Sequence, residues 1–345
     1  MKIIDLFCGV GGLNLGFEWA GFETVTSIDL WGDAIKTYNH NRKNKCGVEM
    51  DIVSFNNDIK KLIQKTKITG VIGGPPCQGF SSARLSDASS QIEGINESRN
   101  QLYLEFYKTV KILDPDFFLI ENVRGMVTLD KGAFVKDIHT RFGKLGYEIV
   151  HEIINAADYG VPQRRLRVFF IGIKSEKFIF PKKRDAHLTS MEALSDLRAT
   201  FSDRTYKSPP KNDFQKFMRE GSSLLMNHEP TKHSQKTIEI ISMIQDGGSI
   251  KSLPAKFWEI RKFNKAFQRM NSKQPSLTID TGHRNYFHFK ENRIPTVRES
   301  ARIQSFPDYF EFLGSKTSQY MQVGNAVPPL LAYEIALQIK KHLKR

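Results

Sequence analysis

Five short apolar runs constrain the fold of this chain more than any other feature. They are "KIIDLF" (2–7), "ETVTSID" (23–29), "GVIGG" (70–74), "DFFLIEN" (116–122) and "RVFFIGI" (167–173). Amphipathic stretches such as "LNLGFEWAG" (13–21) and "LYLEFYKTVKIL" (102–113) lie between them. Apolar strands that alternate with helices bury both of their faces, which a mostly parallel α/β sheet allows. Ligands of such sheets sit at the carboxyl ends of the strands. From about residue 175 to 290 the alternation stops, and turns at "SPPKND" and "QDGGSI" interrupt scattered Lys, Ser and Phe. The pattern predicts an α/β domain over residues 1–175, completed by a C-terminal segment 315–345, and a smaller irregular domain over 176–314. The closing stretch "VPPLLAYEIALQIKKHLKR" reads as a helix with Pro328 and Pro329 at its start and cations at its end, packed back on the first domain.

Charge is unevenly spread. Of a net charge of +14, residues 174–300 carry +10, from 24 Lys+Arg against 14 Asp+Glu. That surplus marks a polyanion-binding face, with a plain solvated surface as the alternative. Three cysteines, Cys8, Cys46 and Cys77, are too few and too unevenly spaced for a disulfide framework or a Cys-x-x-Cys metal knuckle. No metal site is expected. Asp5 interrupts the apolar start, so a signal-peptide core is missing, and no apolar run approaches the ~20 residues of a membrane span. These features predict a soluble cytoplasmic protein with no membrane partner.

The first run leads into "DLFCGVGGLNLGF" (5–17), a glycine-rich turn that lets backbone approach a nucleotide-like ligand. A dinucleotide fingerprint needs a third glycine at position 14, where Asn14 stands, which weakens a pyrophosphate reading. Asp29 closes the second run, 20 residues after Gly9, where a carboxylate accepts hydrogen bonds from ribose hydroxyls. Asp51 follows a third short strand and is placed to accept from an adenine amino group. Two acids and a turn not built for pyrophosphate suit S-adenosylmethionine better than NAD. The plainer reading is an ordinary tight turn.

In "GVIGGPPCQGFSS" (70–82), Pro75 and Pro76 fix φ and lack an N–H, so the sheet ladder ends and Cys77 follows on stiff backbone. That position suits a nucleophile, although a lone thiol is more often a buried structural group. "DFFLIENVRGM" (116–126) carries Glu121 and Asn122 to the end of another strand, in the same carboxyl-end crevice. A carboxyl group leaving an apolar strand there is expected to hold its proton more tightly and to protonate a ring nitrogen; a capping or surface Glu is the alternative. "PQRRLRVFFIG" (162–172) places Arg165 and Arg167 at alternate positions, hence on one face, to hold a carbonyl oxygen and a carboxylate. Otherwise they are routine surface charge.

Taken in order, "DLFCGVGG" (5–12), "GGPPCQGFS" (73–81), "ENVRGM" (121–126), "QRRLRVFFIG" (163–172), "RESARIQSFPDYF" (298–310) and "QVGNAVPPLLAYEIA" (322–336) resemble the DNA cytosine-5 methyltransferase family of bacterial restriction-modification systems. Only residues 175–295 lack firm counterparts, and the family's variable target-recognition region falls there. The resemblance implies a Rossmann-like S-adenosylmethionine-dependent domain with a small recognition domain. It also implies methyl transfer to C5 of a flipped-out cytosine in a specific double-stranded DNA sequence. It assigns the C6 nucleophile to Cys77, the N3 contact and protonation to Glu121, the cytosine O2 contact to Arg165, and a bracing role to Arg167. It assigns the cofactor to Phe7, Gly9, Gly11, Gly12, Leu13, Asp29, Leu30, Asp51, Ile52, Pro76, Leu102, Asn325 and Val327. DNA contacts fall to Gln78, Ser81, Arg99 and Thr278, the last within "PSLTIDTGHRNYF" (275–287). The polar stretch from Ser81 to Asn100 is similar to the family's mobile loop over DNA. Two departures stand out. Asp29 occupies a position where Glu is commoner, and Leu30 stands where a bulky aromatic is commoner, with Trp31 one place later. A monomer is expected, with a cognate restriction endonuclease as its counterpart. A tRNA cytosine-5 methyltransferase of the same fold is the alternative, but the Cys-Phe-Thr tripeptide of those relatives is absent.

Overall fold

The structure is a computed structural model that describes residues 1–64, 66–76, 97–174, 176–197, 204–206, 208–260, 267–282 and 286–344, with backbone alone at 97–101, 129–130 and 259–260. It divides into two units: Met1–Asn155 with Leu166–Lys182 and Ala332–Arg345, and Ala156–Arg165 with Lys183–Leu331.

The first unit is built on a seven-stranded sheet: β1 (Lys2–Leu6), β2 (Glu23–Asp29), β3 (Gly47–Glu49), β4 (Gly70–Gly73), β5 (Phe117–Val123), β6 (Glu148–Asn155) and β7 (Leu166–Ile173). The strand order is β3-β2-β1-β4-β5-β7-β6. The first five strands run parallel, and β7 is antiparallel to both β5 and β6. The reversal has a simple cause. Ten residues, 156–165, join β6 to β7, too few for the crossover a parallel pair requires. Strand β6 escaped the sequence reading because "EIVHEIIN" lies at the sheet edge, with only Ile154 buried, and lacks an apolar run.

Helices α1 (Gly12–Trp19), α2 (Gly32–His40), α3 (Ile52–Ile63), α4 (Glu97–Leu113) and α5 (Ala133–Gly143) connect these strands. Alternation along β1 sends Ile4 and Leu6 into a core with Phe55, Phe106, Phe118 and Phe142, and sends Ile3 and Asp5 to the opposite face. Phe118 and Phe142 stack at 4.1 Å in that core. Asp51 starts α3 by accepting from the Val53 and Ser54 amides at 2.8 and 3.4 Å. The strand order reverses between β1 and β4, so the crevice that an open α/β sheet offers a ligand lies beyond the carboxyl ends of these two strands. Residues Ala332–His342 of the last helix belong to this unit, where Lys340 donates to the Ala20 carbonyl and Tyr333 meets Trp19 edge-on.

The second unit holds helices α6 (Ser190–Leu194), α7 (Asp213–Arg219), α8 (Gln235–Met243), α9 (Val297–Ile303) and α10 (Lys316–Asn325), and the start of α11 (Pro329–His342). A two-stranded parallel ribbon, β8 (Gln268–Arg269) and β9 (Tyr286–Phe287), completes its regular structure. Its short helices begin at side-chain caps on Thr189, Asn212, Ser234, Thr296 and Ser315, the last signals of regular structure in a segment without apolar periodicity. Around α9 the interior is ionic. Arg302 is fully buried between Asp196 and Asp308, and the ion pairs hold its guanidinium charge firmly against the cost of burial. Among the described residues no helix is long and apolar enough to cross a membrane.

Candidate active site

The glycine-rich turn leaves β1 through Phe7, a bulky residue held at φ +59°. Such backbone costs on the order of 1–3 kcal/mol and persists where surrounding structure over-determines it, commonly at ligand clamps. Gly9 and Gly11 follow at φ +53° and +78°, and Gly11 starts α1 without a side-chain cap. Among the described residues a Cβ on Gly9 would meet nothing within 4 Å, so the turn faces open space there. Asp29 shapes the turn from the end of β2. Its Oδ2 accepts the Gly9 amide at 2.8 Å and its Oδ1 accepts the Trp31 amide at 2.9 Å. Leu30 beside it is 65% exposed, a large apolar surface presented at a strand end, whereas Trp31 is only part-exposed and begins α2. Asp51 caps α3, Ile52 is buried on its first turn, Leu13 is buried in α1, and Leu102 on α4 packs against the core.

Asp5 is buried, and among the described residues neither of its oxygens finds a hydrogen-bond partner. Burial, reinforced by Asp29 and Glu18 and opposed by Arg42, pushes its carboxyl well above the usual range. Burial, together with Asp5 and Asp29, also pushes the Cys8 thiol up. Asn14, at the position where a dinucleotide fingerprint needs glycine, is fully buried. Its amide donates to Thr24 at 2.6 Å and accepts from the Tyr38 hydroxyl at 3.0 Å, tying α1 to β2 and α2. A packed, hydrogen-bonded amide thus fills the position that a pyrophosphate-binding fingerprint leaves to glycine.

The exit of β4 adjoins the end of β5. Asn122 donates to the Pro75 carbonyl at 2.8 Å and takes the Val123 amide at 2.8 Å, so the proline pair is anchored to the neighbouring strand. Glu121 lies one residue before Asn122. Arg167 comes from the facing antiparallel strand β7 and sets its Nε 3.1 Å from Glu121 Oε1. Arg167 is largely buried, which lowers its pKa, and the Glu121 charge offsets that loss. Glu121 Oε2 lies over Gly74, where a Cβ would come within 3.0 Å of it. Gly74→Ala is therefore expected to shift this carboxylate by a few tenths of an ångström and lower kcat about tenfold, since small misplacements of reacting groups are costly. Steady-state kinetics together with a thermal melt within a few degrees of wild type would check it.

Cys77, Gln78 and Ser81 lie outside the described residues, as does the side chain of Arg99 on α4; Pro76, just before Cys77, is exposed. Arg165, Thr278, Asn325 and Val327 belong to the second unit. Arg165 is 1% exposed and donates to the Ile279 and Gly324 carbonyls at 3.0 and 2.8 Å, so the two arginines of "QRRLR" have different partners. Thr278 is exposed, and its hydroxyl donates to the Arg164 carbonyl at 2.6 Å. Asn325 is exposed at the end of α10, and Val327 is buried two residues later. Asp5, Gln163 and Gln304 lie within the quoted motifs, which give them no role at the site. A lone acid in an otherwise apolar strand was the available signal for Asp5.

The sequence pattern of the family described as C-5 cytosine-specific DNA methylase matches residues 1–341. The chain belongs to this family. It is 37% identical over 342 residues to the Type II methyltransferase M1.HphI of Haemophilus parahaemolyticus, spanning 99% of this chain and 87% of that protein. It is also 37% identical over 377 residues to M.DdeI of Desulfomicrobium norvegicum, spanning 98% and 88%. Among solved structures, a proposed DNA modification methyltransferase encoded within an E. coli prophage superposes with a TM-score of 0.83 at 29% identity over all of both chains. The enzyme is thus a cytosine-C5 DNA methyltransferase of the Type II restriction-modification type, on a Rossmann-like α/β fold.

Proposed function

We propose that the enzyme methylates C5 of one flipped-out cytosine in a specific duplex sequence through a covalent bond between Cys77 and C6. The observation that carries this reading is the Glu121–Arg167 pair, set beside the anchored Gly74-Pro75-Pro76 exit that leads into Cys77. The other two cysteines are poor nucleophiles. Burial pushes up the thiols of both Cys8 and Cys46.

Cytosine C5 is a weak nucleophile. Addition of the Cys77 thiolate at C6 makes C5 enamine-like and able to accept a methyl group. Glu121 meets N3 and shares a proton with it as charge builds there, while Arg167 holds Glu121 in place. Arg165 is assigned to the cytosine O2. Loss of the C5 proton and elimination of the Cys77 sulfur then restore the enzyme. The reacting face is closed in a stacked duplex, so the base must leave the stack.

S-adenosylmethionine, when bound, supplies the methyl group in electrophilic form on a sulfonium. The positive-φ backbone of the turn and, among the described residues, the open space above Gly9 fit such a ligand. Phe7, Gly9, Gly11, Gly12 and Leu13 hold it, Asp29 takes the ribose, and Asp51 with Ile52 takes the adenine. Leu30, through its exposure, is the side chain offered to the adenine face. Pro76, Leu102, Asn325 and Val327 are assigned to the same ligand. Gln78, Ser81, Arg99 and Thr278 are assigned to DNA, and the basic segment 176–314 to target recognition. The enzyme acts on double-stranded DNA as a monomer in the bacterial cytoplasm, beside an endonuclease of the same specificity.

The test is transfer of labelled methyl from S-adenosylmethionine to unmethylated plasmid DNA and to tRNA, followed by bisulfite mapping of the DNA. Label in DNA at one recurring site supports the reading. Label in tRNA alone, or in neither, overturns it.

A further inference from the structure

Two buried glutamines in the second unit form a chain of hydrogen bonds whose two ends lie on main chain. Gln163 and Gln304 are each 0% exposed and stand 141 residues apart in sequence. The Ile279 amide donates to Gln163 Oε1 at 2.9 Å, Gln163 Nε2 donates to Gln304 Oε1, and Gln304 Nε2 donates to the Ala326 carbonyl. A main-chain N–H can only donate and a carbonyl can only accept, so the two ends set the orientation of both amides. Every link runs in one direction, and neither amide can turn over without breaking two bonds.

The ends of this chain fall on segments with different assignments. Ile279 follows Thr278, in the stretch assigned to DNA. Ala326 separates Asn325 from Val327, both assigned to the cofactor. Two further contacts draw these segments together. Arg165 donates to the carbonyls of Ile279 and Gly324. Gly324 also approaches residues 280–281 so closely that a Cβ there would come within 2.5 Å of the Asp280 carbonyl oxygen. The two segments are thereby joined by a short, buried and directional path.

We infer that Gln163 and Gln304 are positioning residues that couple duplex binding at residues 276–281 to cofactor binding at residues 325–327. The inference rests on the proposed function. Neither glutamine touches substrate; their effect is to make each ligand favour the arrangement that suits the other.

The test measures the affinity of the enzyme for a duplex carrying the mapped site, with and without S-adenosylhomocysteine, at pH 6 and pH 9. In the wild type the cofactor product is expected to tighten duplex binding about tenfold, within the usual range of coupling. Gln304→Met fills the same space without hydrogen bonds, and the ratio should fall below about twofold at both pH values while S-adenosylhomocysteine alone binds within about threefold of wild type. Gln304→Glu gives a readout that packing alone does not move. Ionised at pH 9, its carboxylate cannot donate to Ala326, and coupling should be lost. Protonated at pH 6, as burial favours, its O–H restores the donor, and coupling should return. If Gln304→Met does not fold, the two pH values of Gln304→Glu decide the matter. Coupling near tenfold in Gln304→Met, or a ratio in Gln304→Glu that does not change with pH, overturns the inference. A wild type that methylates no DNA instead refutes the proposed function.

Discussion

A duplex whose target cytosine carries fluorine at C5 is expected to capture the enzyme as a covalent adduct that survives denaturing electrophoresis. Cys77 adds to C6 as usual and the methyl group is accepted at C5. Elimination then requires fluorine to leave as a cation, which is chemically inaccessible, so the Cys77–C6 bond persists. The methylated adduct should need S-adenosylmethionine and should form only at the recognised cytosine. Cys8→Ala and Cys46→Ala should still form it. Burial pushes up both thiols, with Asp5 adding to the effect at Cys8, so neither is disposed to ionise. Cys77→Ala should form none, a change from complete to undetectable capture. Peptide mass mapping of the adduct checks the assignment. An adduct on Cys8 or Cys46, or undiminished capture by Cys77→Ala, would defeat it.

The second large effect is expected at Glu121. In Glu121→Gln the side-chain oxygen can still accept from Arg167 Nε, which lies 3.1 Å from Oε1 in the native pair. The amide N–H₂ can donate to cytosine N3, so the base still fits and duplex affinity should change little. What is lost is a proton to share as negative charge builds on the ring. Removal of a general acid costs typically 10²–10⁴-fold, and kcat should fall by about 10² or more. Single-turnover methyl transfer measured alongside duplex affinity separates the two effects. Near-normal turnover would remove Glu121 from the chemistry.

Some of this site is legible residue by residue because its causes are local. A proline pair ends β4 wherever it occurs. A glycine turn after an apolar strand opens the backbone to a ligand. A carboxylate after "FFLI" must emerge at a strand end. The antiparallel course of β7 was not legible, because "LRVFFIGI" is apolar read in either direction and only the short link 156–165 decides its sense. Nor was β6, whose edge position leaves polar and apolar residues mixed on both faces. Arg165 and Arg167 look equivalent in "QRRLR". Yet one is enclosed by main-chain carbonyls of Ile279 and Gly324, and the other pairs with Glu121 across a strand.

The amino-acid sequence by itself determined the alternating α/β architecture, the strand-end placement of the glycine turn and of Glu121, and the basic surplus of the segment after residue 174. Each follows from the side-chain pattern and backbone preferences of neighbouring residues. Only the tertiary structure decided which long-range partners these groups acquire: Arg167 for Glu121, and Gln304 for Gln163. Such pairings join residues tens to more than a hundred positions apart, so they depend on how strands and helices pack. The same amide or guanidinium that water would satisfy at a surface must find its partner there once packing has excluded the water.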